Sequence, residues 1–158
     1  MRPDDPLVGH YLASSLVMRL ATASRRGSPS LTPLWFVTVD GRLVASTGAA
    51  TVAARNLAAE PRVTVLLDGE AAGRSELVLR VRGTAEVNPG MPPFAVLARY
   101  AAKYYLTRDG LRCELAHARR WGLRRRYHAQ SEPVWLVIEP TAAELVAVPR
   151  PDAARTAG

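Results

Sequence analysis

The sequence predicts a single mainly β domain, a mostly antiparallel barrel with helices grouped late in the 158-residue chain. One observation is that short segments with alternating apolar and polar residues recur, most clearly over residues 76–87. The other is the order of elements: strands, a short helix, strands, helices and a strand, which lacks the regular alternation of a parallel sheet. We assign residues 1–148 to this domain and the Pro-, Ala- and Arg-rich residues 149–158 to a disordered tail.

The first third of the chain predicts a helix and a three-stranded meander. A short amphipathic helix is expected over residues 7–15, followed by strands over 16–23, 30–39 and 42–47. Gly27 and Pro29 favour a turn after the first strand. Asp40-Gly41 predicts a two-residue hairpin turn, because a type I′ turn needs positive φ at both central positions.

The rest of the chain predicts three more strands and three helices. Thr51 is a suitable N-cap for a helix that Pro61 ends, and strands follow over residues 62–68 and 76–87. A helix begins after Pro92-Pro93, with an apolar face at helical spacing made by Phe94, Leu97, Ala98, Ala101, Tyr104 and Tyr105. A second helix is expected over 111–126 and a sixth strand over 134–139. Residues 144–148 extend the sheet after Pro140, which gives six or seven strands.

The positive charge is concentrated in one segment. The chain has 21 basic and 14 acidic residues, a net charge of +7, and Lys103 is its only lysine. Between Arg99 and Arg126 there are nine basic and two acidic residues, so this segment carries the whole surplus. The pattern indicates either a local anionic partner or a solvated helix face.

Several classes of function are disfavoured by the sequence. It has no signal-peptide pattern and no apolar run of the ~18 residues that a membrane span needs, so we expect no membrane partner. A single cysteine, Cys113, fits a reducing cytoplasm. The histidines lack metal-ligand spacing, so no metal site is predicted. Residues 121–128 mix aromatics with arginines as single-strand binders do, but no nucleic-acid-binding motif accompanies them.

A small-residue loop between a strand and a helix is a candidate phosphate site. It runs from Ser46-Thr47-Gly48 to the predicted helix that Thr51 begins. Backbone N–H groups at a helix N-terminus lack partners and the helix dipole favours an anion there. Arg55 lies four residues after Thr51 and therefore on the same helix face. A capped helix with a solvated arginine would have the same sequence, so both interpretations stay open.

An ordered set of short motifs resembles the pyridoxamine 5′-phosphate oxidase-like split β-barrel family. The motifs are Leu20-Ala21-Thr22, Gly27-Ser28-Pro29, Thr32-Pro33-Leu34-Trp35-Phe36-Val37, Ser46-Thr47-Gly48, Arg55-Asn56-Leu57 and Pro61-Arg62-Val63. The resemblance covers roughly residues 7–90, with a weaker match in the last strand. It is to the branch whose members use FMN or the deazaflavin coenzyme F-420. It implies a split β-barrel with a short helix after the third strand and helices before the last.

The resemblance also implies a homodimer with a flavin-type cofactor at each end of the subunit interface. Its phosphate would lie near Thr47, Gly48, Thr51, Arg55 and Asn56. The strand that holds Thr32, Pro33, Leu34 and Trp35 would run along the cofactor ring. The chain departs from the family at Val52 and Ala53, where members often have Lys or Arg-Lys, so one or two phosphate cations are missing.

The resemblance implies an oxidoreductase that transfers a hydride between reduced coenzyme F-420 and an unsaturated small-molecule substrate. The cofactor supplies the chemistry in such enzymes, so we expect no catalytic triad and assign no catalytic residue. F-420 carries an oligoglutamate tail and is more anionic than FMN, and the arginine-rich segment could attract that tail. The alternatives are an FMN-dependent oxidase or reductase and a non-catalytic cofactor-binding barrel, which the missing lysine favours.

Overall fold

Six antiparallel strands form a closed barrel in the computed structural model, which describes residues 2–69, 72–74, 76–117 and 131–148. The strands lie in the order β1-β2-β3-β6-β5-β4 around the barrel. They are β1 (Val17–Ala23), β2 (Pro29–Val39), β3 (Arg42–Gly48), β4 (Arg62–Asp68), β5 (Leu77–Pro89) and β6 (Pro133–Ala147). The mainly β, antiparallel prediction is therefore confirmed. The predicted tail and residues 118–126 of the predicted second late helix lie outside the described residues.

Four helices accompany the strands in the described part of the chain: α1 (Pro6–Ser14), α2 (Val52–Ala59), α3 (Phe94–Tyr105) and α4 (Arg108–His117). The Asp5 side chain caps α1 by accepting a hydrogen bond from the Leu7 N–H at 2.9 Å. Thr51 caps α2 as predicted, accepting from the Ala54 N–H at 3.2 Å. The helix ends before Pro61, whose ring disfavours helical geometry in the residue that precedes it.

The barrel interior is filled by apolar side chains from alternate positions of the strands. Its fully buried residues include Met18, Leu20, Phe36, Leu43 and Leu136. Helix α1 adds Val8, Tyr11 and Leu12 to this core, and α2 adds Ala53 and Leu57. The interior is thus a packed core, so a ligand must bind on the outside of the barrel or where strands separate.

The β2–β3 hairpin has the predicted turn. Asp40 has φ 49° and Gly41 has φ 78°, so both central residues adopt the left-handed conformation that a type I′ turn requires. The pairing of Val39 with Arg42 sets the register of the two strands.

The last two segments of the predicted sheet form one strand with a bulge. Arg82 pairs with Ala142 and Gly83 with Pro140, so Thr141 has no pairing partner on β5. A Cβ at Gly83 would lie 2.3 Å from the Glu139 carbonyl oxygen, so this position needs glycine. Proline lacks the N–H that a regular ladder uses and is tolerated at bulges. The bulge therefore lets β6 continue past Pro140, and the barrel has six strands rather than seven.

Helix α3 packs through a different face from the one its apolar pattern predicts. Phe94 is 84% exposed and Tyr105 is 53% exposed, whereas Val96 and Tyr104 are buried. The buried face lies on the outside of β2 and β3 in a second apolar cluster with Val37, Val44, Trp35, Tyr100 and Trp135. Phenol rings form much of this contact, and their hydroxyls bond to the strands, which hydrophobic periodicity alone does not predict.

Lys103 is not part of a solvated basic face. Its ammonium group lies 3.8 Å from the centroid of the Phe36 ring and 3.3 Å from the Leu12 carbonyl oxygen. Burial lowers the pKa of Lys103 from 10.5 to about 8. The only lysine of the chain therefore fixes α3 to α1 and β2, and it does not add to the charge available for an anionic partner.

Candidate functional site

Strands β2 and β3 diverge beyond their shared hairpin. They pair only from Phe36–Val39 to Arg42–Ala45. The first part of β2, Pro29–Trp35, pairs with β1, whereas the end of β3, Ser46–Gly48, pairs with β6. Among the described strands none pairs with the other edge of β2 over Pro29–Trp35. Strands β2 and β3 are therefore split over this part of the barrel.

Helix α2 begins directly after the end of β3, but part of its loop is already hydrogen-bonded. The Ala49 N–H donates to the Glu132 carbonyl at 2.9 Å, and the Ala50 N–H donates to Ser131 Oγ at 2.9 Å. Gly48 has no room for a side chain, because a Cβ there would lie 2.9 Å from Ser131. The candidate anion site is therefore narrower than the sequence predicts and begins at Thr51.

The hydroxyl of Thr51 is arranged to donate a hydrogen bond to a ligand. Its oxygen accepts from the Ala54 N–H at 3.2 Å and from Thr47 Oγ1 at 3.3 Å. A hydroxyl has two acceptor positions and one proton, so when Thr47 donates to Thr51, the Thr51 proton can donate to a ligand. The N–H group of Val52, a residue that is 49% exposed, also has no acceptor within the described residues. Two donors that a ligand can reach thus lie at the start of α2, which suits an anionic group.

Arg55 and Asn56 are adjacent in sequence but have different roles. Arg55 is exposed on α2 and forms no ion pair with the described residues. The side chain of Asn56 is buried and donates to Thr22 Oγ1 at 3.0 Å. Arg55 is therefore available to an anion, whereas Asn56 holds α2 against β1 and positions the helix.

The two positions that depart from the family pattern differ in exposure on α2. Val52 is 49% exposed, three residues before Arg55 and hence on the same face. Ala53 is fully buried in the barrel core. Only position 52 could present an additional cation to a ligand without burying it. The sequence alone does not separate these two positions.

The four candidate residues of β2 also divide between two faces. Leu34 packs against the barrel core, with Thr32 on the same side of the strand, whereas Pro33 is exposed on the outer side. Trp35 stacks on Tyr104 with ring centroids 4.3 Å apart and an interplanar angle of 8°. One face of its indole ring is therefore occupied by the protein. On the edge that faces the split, Pro33 supplies no N–H, and the Trp35 carbonyl oxygen lies 3.2 Å from Tyr100 Oη.

Two tyrosines of α3 fix the strands beside the split, and the sequence analysis assigned neither a role there. Tyr100 Oη lies 2.9 Å from the Val44 carbonyl oxygen and 3.2 Å from that of Trp35, so it bridges β3 and β2 where they separate. Burial raises the pKa of Tyr100, which keeps this hydroxyl protonated. An apolar helix face with two tyrosines four residues apart is a signal that could have suggested this contact.

A separate groove of about 560 Å³ lies on the outer barrel surface near the C-terminal end of α2. Arg62, Arg82 and Thr84 are among the residues that line it. Both arginines already have acidic partners, since Arg62 contacts Glu60 at 2.8 Å and Arg82 contacts Glu144 at 2.8 Å. Thr22, which holds Asn56, contributes to this groove, but Thr51 and Arg55 do not.

The model of the pyridoxamine 5′-phosphate oxidase family matches residues 7–147, which is most of the chain. Together with the six-stranded barrel, this match defines the class: a split β-barrel protein of the type that this family comprises. The chain belongs to the pyridoxamine 5′-phosphate oxidase family. No protein of curated function matches its sequence significantly.

Solved structures with the same fold differ in what they are described as doing. An F-420 reductase is 21% identical with a TM-score of 0.54, covering 85% of this chain and 93% of its own. A conserved hypothetical protein from Mycobacterium tuberculosis is 21% identical with a TM-score of 0.63, and the match covers 98% of this chain and 94% of that protein. The haem-storage protein HutZ from Vibrio cholerae is 18% identical with a TM-score of 0.61, and the match covers 93% of this chain and 95% of that protein. At these identities the likeness shows the fold alone.

Within the described ranges, no helix combines the length and apolar character that crossing a membrane requires.

Proposed function

We propose that this protein is an oxidoreductase that binds a flavin-type cofactor, coenzyme F-420, and transfers a hydride between it and an unsaturated organic substrate. The observation that carries the proposal is the group of donors at the start of α2, which lies beside the split between β2 and β3. Membership of the pyridoxamine 5′-phosphate oxidase family and the fold shared with an F-420 reductase support it.

The phosphate would be held by Thr51, by the N–H group of Val52, and by Arg55. Thr51 can donate to it when the hydroxyl of Thr47 donates to Thr51. Charge-assisted hydrogen bonds to phosphate are roughly twice as strong as neutral ones. The exposed guanidinium of Arg55 adds one without first having to break an ion pair with a described residue.

The ring would lie along β2, whose backbone over Thr32–Trp35 has one edge without a strand neighbour among the described residues. When bound, the cofactor supplies the hydride chemistry, whereas the protein supplies orientation and exclusion of water. Tyr100 and Tyr104 hold this strand from the outer side through hydrogen bonds to the carbonyl groups of Trp35 and Phe36. Rigid support matters, because a hydride donor and its acceptor must be held within contact distance.

The charge of the chain favours F-420 over FMN, since the oligoglutamate tail of F-420 adds negative charges that FMN lacks. Arg124, Arg125 and Arg126 belong to the basic segment and lie outside the described residues, so this part of the proposal rests on charge alone. We expect F-420 with more glutamates to bind more tightly. The advantage should shrink as salt rises, because exposed charges are screened over about 10 Å at 0.1 M.

A non-catalytic cofactor-binding barrel is the second candidate. Val52 is apolar at the exposed position where a further phosphate cation would stand, which weakens the site relative to the family pattern. The fold is also shared with a haem-storage protein. An FMN-dependent oxidase or reductase would use the same phosphate site.

Titration of the purified protein with F-420 and with FMN, followed by fluorescence, separates these candidates. Tighter binding of F-420, with turnover of an unsaturated substrate by reduced F-420, is the expected result. Tighter FMN binding would assign the FMN-dependent alternative. Binding without turnover of any substrate tested would favour the non-catalytic barrel, and no binding of either cofactor would contradict the proposal.

We also propose that the chain forms a homodimer that buries one face of the barrel. Apolar side chains at the outer surface support this, among them Leu31, which is 54% exposed on the β2 segment that has one free edge. Light scattering at micromolar protein concentration should give twice the 17.1 kDa mass of the chain. A monomer mass would contradict this proposal without bearing on the phosphate site.

A further inference from the structure

One exposed surface is not used by the proposed function: the end of the α3–α4 hairpin. Four of the ten exposed large hydrophobic residues of the described chain lie there, and they fall within eleven consecutive positions. Leu106 is 82% exposed, Leu115 64%, Tyr105 53% and Leu111 47%. Clustered exposure of this kind, in contrast to scattered single residues, marks an interaction surface.

The outward face of α4 combines leucine with arginine. At about 100° per residue, Arg108, Leu111, Arg112 and Leu115 fall within about a third of the helix circumference. Gly110 lies on the opposite side and packs against α3, where a Cβ would be 2.6 Å from the Lys103 carbonyl oxygen. The leucine and arginine face is thereby turned away from the rest of the protein. Asp109 falls outside this arc.

We propose that this surface, which comprises Tyr105, Leu106, Arg108, Leu111, Arg112 and Leu115, docks the protein on an anionic phospholipid membrane. A helix that lies in a membrane interface has this arrangement, with aliphatic side chains inserted and arginines beside them at the headgroups. Anionic headgroups attract arginines near the surface. The inference is independent of the cofactor proposal.

The combination of arginines and leucines favours a membrane over other occupants. Two copies of the surface would bring Arg108 and Arg112 of each chain together, which disfavours self-association. Arg108 and Arg112 supply the cations of this surface, and the acidic residues of α4, Asp109 and Glu114, fall outside its arc. A nucleic acid would use the arginines but would leave the leucines exposed. This proposal departs from the sequence-based expectation of no membrane partner, which rested on the lack of a signal-peptide pattern and of a spanning apolar run.

The test is co-sedimentation of the full chain with vesicles of phosphatidylcholine alone and with vesicles that also contain phosphatidylglycerol. We expect binding to the anionic vesicles that weakens as salt rises. Leu111→Ser with Leu115→Ser should weaken it by about 10-fold or more, and Arg108→Gln with Arg112→Gln by about 10-fold or more. Absence of binding to anionic vesicles at low salt would overturn the proposal, as would unchanged binding by the leucine variant.

Matched controls come from exposed residues elsewhere. Val148→Ser removes an apolar side chain that is 42% exposed at the end of β6, and Arg25→Gln with Arg26→Gln removes two exposed arginines from the β1–β2 turn. Neither should change binding by more than about twofold. If the control variants lost as much vesicle binding as the surface variants, binding would depend only on the general hydrophobicity and charge of the protein. That result would overturn the assignment to this surface.

Two further measurements keep the test decisive. If the double leucine variant melts at a lower temperature than the wild type, Leu106→Ser at the turn between the helices replaces it. Light scattering shows whether the leucine variant has half the wild-type mass, which would assign the surface to a second copy instead. Binding of a single-stranded oligonucleotide that requires the arginines but not the leucines, without vesicle binding, would assign it to nucleic acid.

Discussion

The hydroxyl of Tyr104 forms hydrogen bonds with both backbone polar groups of Phe36, 2.9 Å from the nitrogen and 2.9 Å from the carbonyl oxygen. It also lies 2.6 Å from the Leu16 carbonyl oxygen, just before β1 begins. The β1–β2 ladder ends at the pair Val17 and Trp35. The Tyr104 hydroxyl thus bonds to the backbone groups of Phe36 that a residue of β1 would bond to if the β1–β2 ladder continued.

Replacing Tyr104 by phenylalanine should destabilise the protein by about 1–3 kcal/mol, because the buried N–H of Phe36 and the nearby carbonyls would lose their partner. Urea denaturation measures the change in the free energy of unfolding. Tyr105→Phe is the matched control, since Tyr105 is the next residue on α3 and is 53% exposed. Equal effects of the two substitutions would contradict this role of the Tyr104 hydroxyl.

Arg55→Ala should weaken binding of the flavin-type cofactor by about tenfold or more, because a charge-assisted hydrogen bond contributes about 1.5–3 kcal/mol. Fluorescence titration gives the dissociation constant. Arg26→Ala, which removes an exposed arginine from the β1–β2 turn, should leave it unchanged. If Arg55→Ala leaves a measurable dissociation constant unaltered, the phosphate lies elsewhere.

A lysine introduced at position 52 should tighten cofactor binding, whereas one at position 53 should not. Val52→Lys adds a cation on the exposed face of Arg55, at a cost to helix stability of about 0.3–1 kcal/mol from the helix dipole. Ala53→Lys instead forces a long charged side chain into the core, and should destabilise the fold by more than about 2 kcal/mol. Thermal unfolding and cofactor titration of the two variants measure both effects. Tightening at position 53 without loss of stability would contradict the placement of α2.

The burial of Lys103 should make stability rise with pH in the alkaline range. Its pKa is 10.5 when exposed and about 8 in the folded chain, so between these values the unfolded chain binds more protons. The free energy of unfolding therefore increases from about pH 8 towards pH 10. Lys103→Met keeps the apolar stem, removes the ammonium group and should abolish this rise. Urea denaturation of the wild type and of the Lys103→Met variant at pH 7 and pH 10 measures this rise. If the two proteins differ in free energy of unfolding by the same amount at both pH values, the prediction is contradicted.

Local chemistry made much of the fold predictable from sequence. The Asp40-Gly41 turn and the Thr51 cap depend on neighbouring residues only, and both were located correctly. The apolar face predicted for α3 includes the buried Tyr104 but misses Tyr100, whose hydroxyl is selected by carbonyl groups on β2 and β3 that are distant in sequence. For the same reason Lys103 was counted among the residues available to an anionic partner, although its position over Phe36 depends on tertiary packing.

The candidate site was predicted in part for a similar reason. Thr51 and Arg55 are related by helical spacing, which places them on one face in the first half of α2. The role of Asn56 depends on Thr22, thirty-four residues earlier. The use of the Ala50 N–H depends on Ser131, eighty-one residues later. Contacts of this range leave no local pattern in a sequence.

The position of β6 between β3 and β5 has a consequence for synthesis on the ribosome. Without β6, the other strands form an open sheet in the order β3-β2-β1-β4-β5, with two free edges. These edges are joined only by β6, the last strand in the described chain, so the barrel cannot close until that strand has left the exit tunnel. Pairings between β3 and β6 span about ninety residues, and contacts of such long range slow folding. The nascent chain therefore exposes two unpaired strand edges for most of its synthesis, a state in which chaperones commonly protect proteins from aggregation.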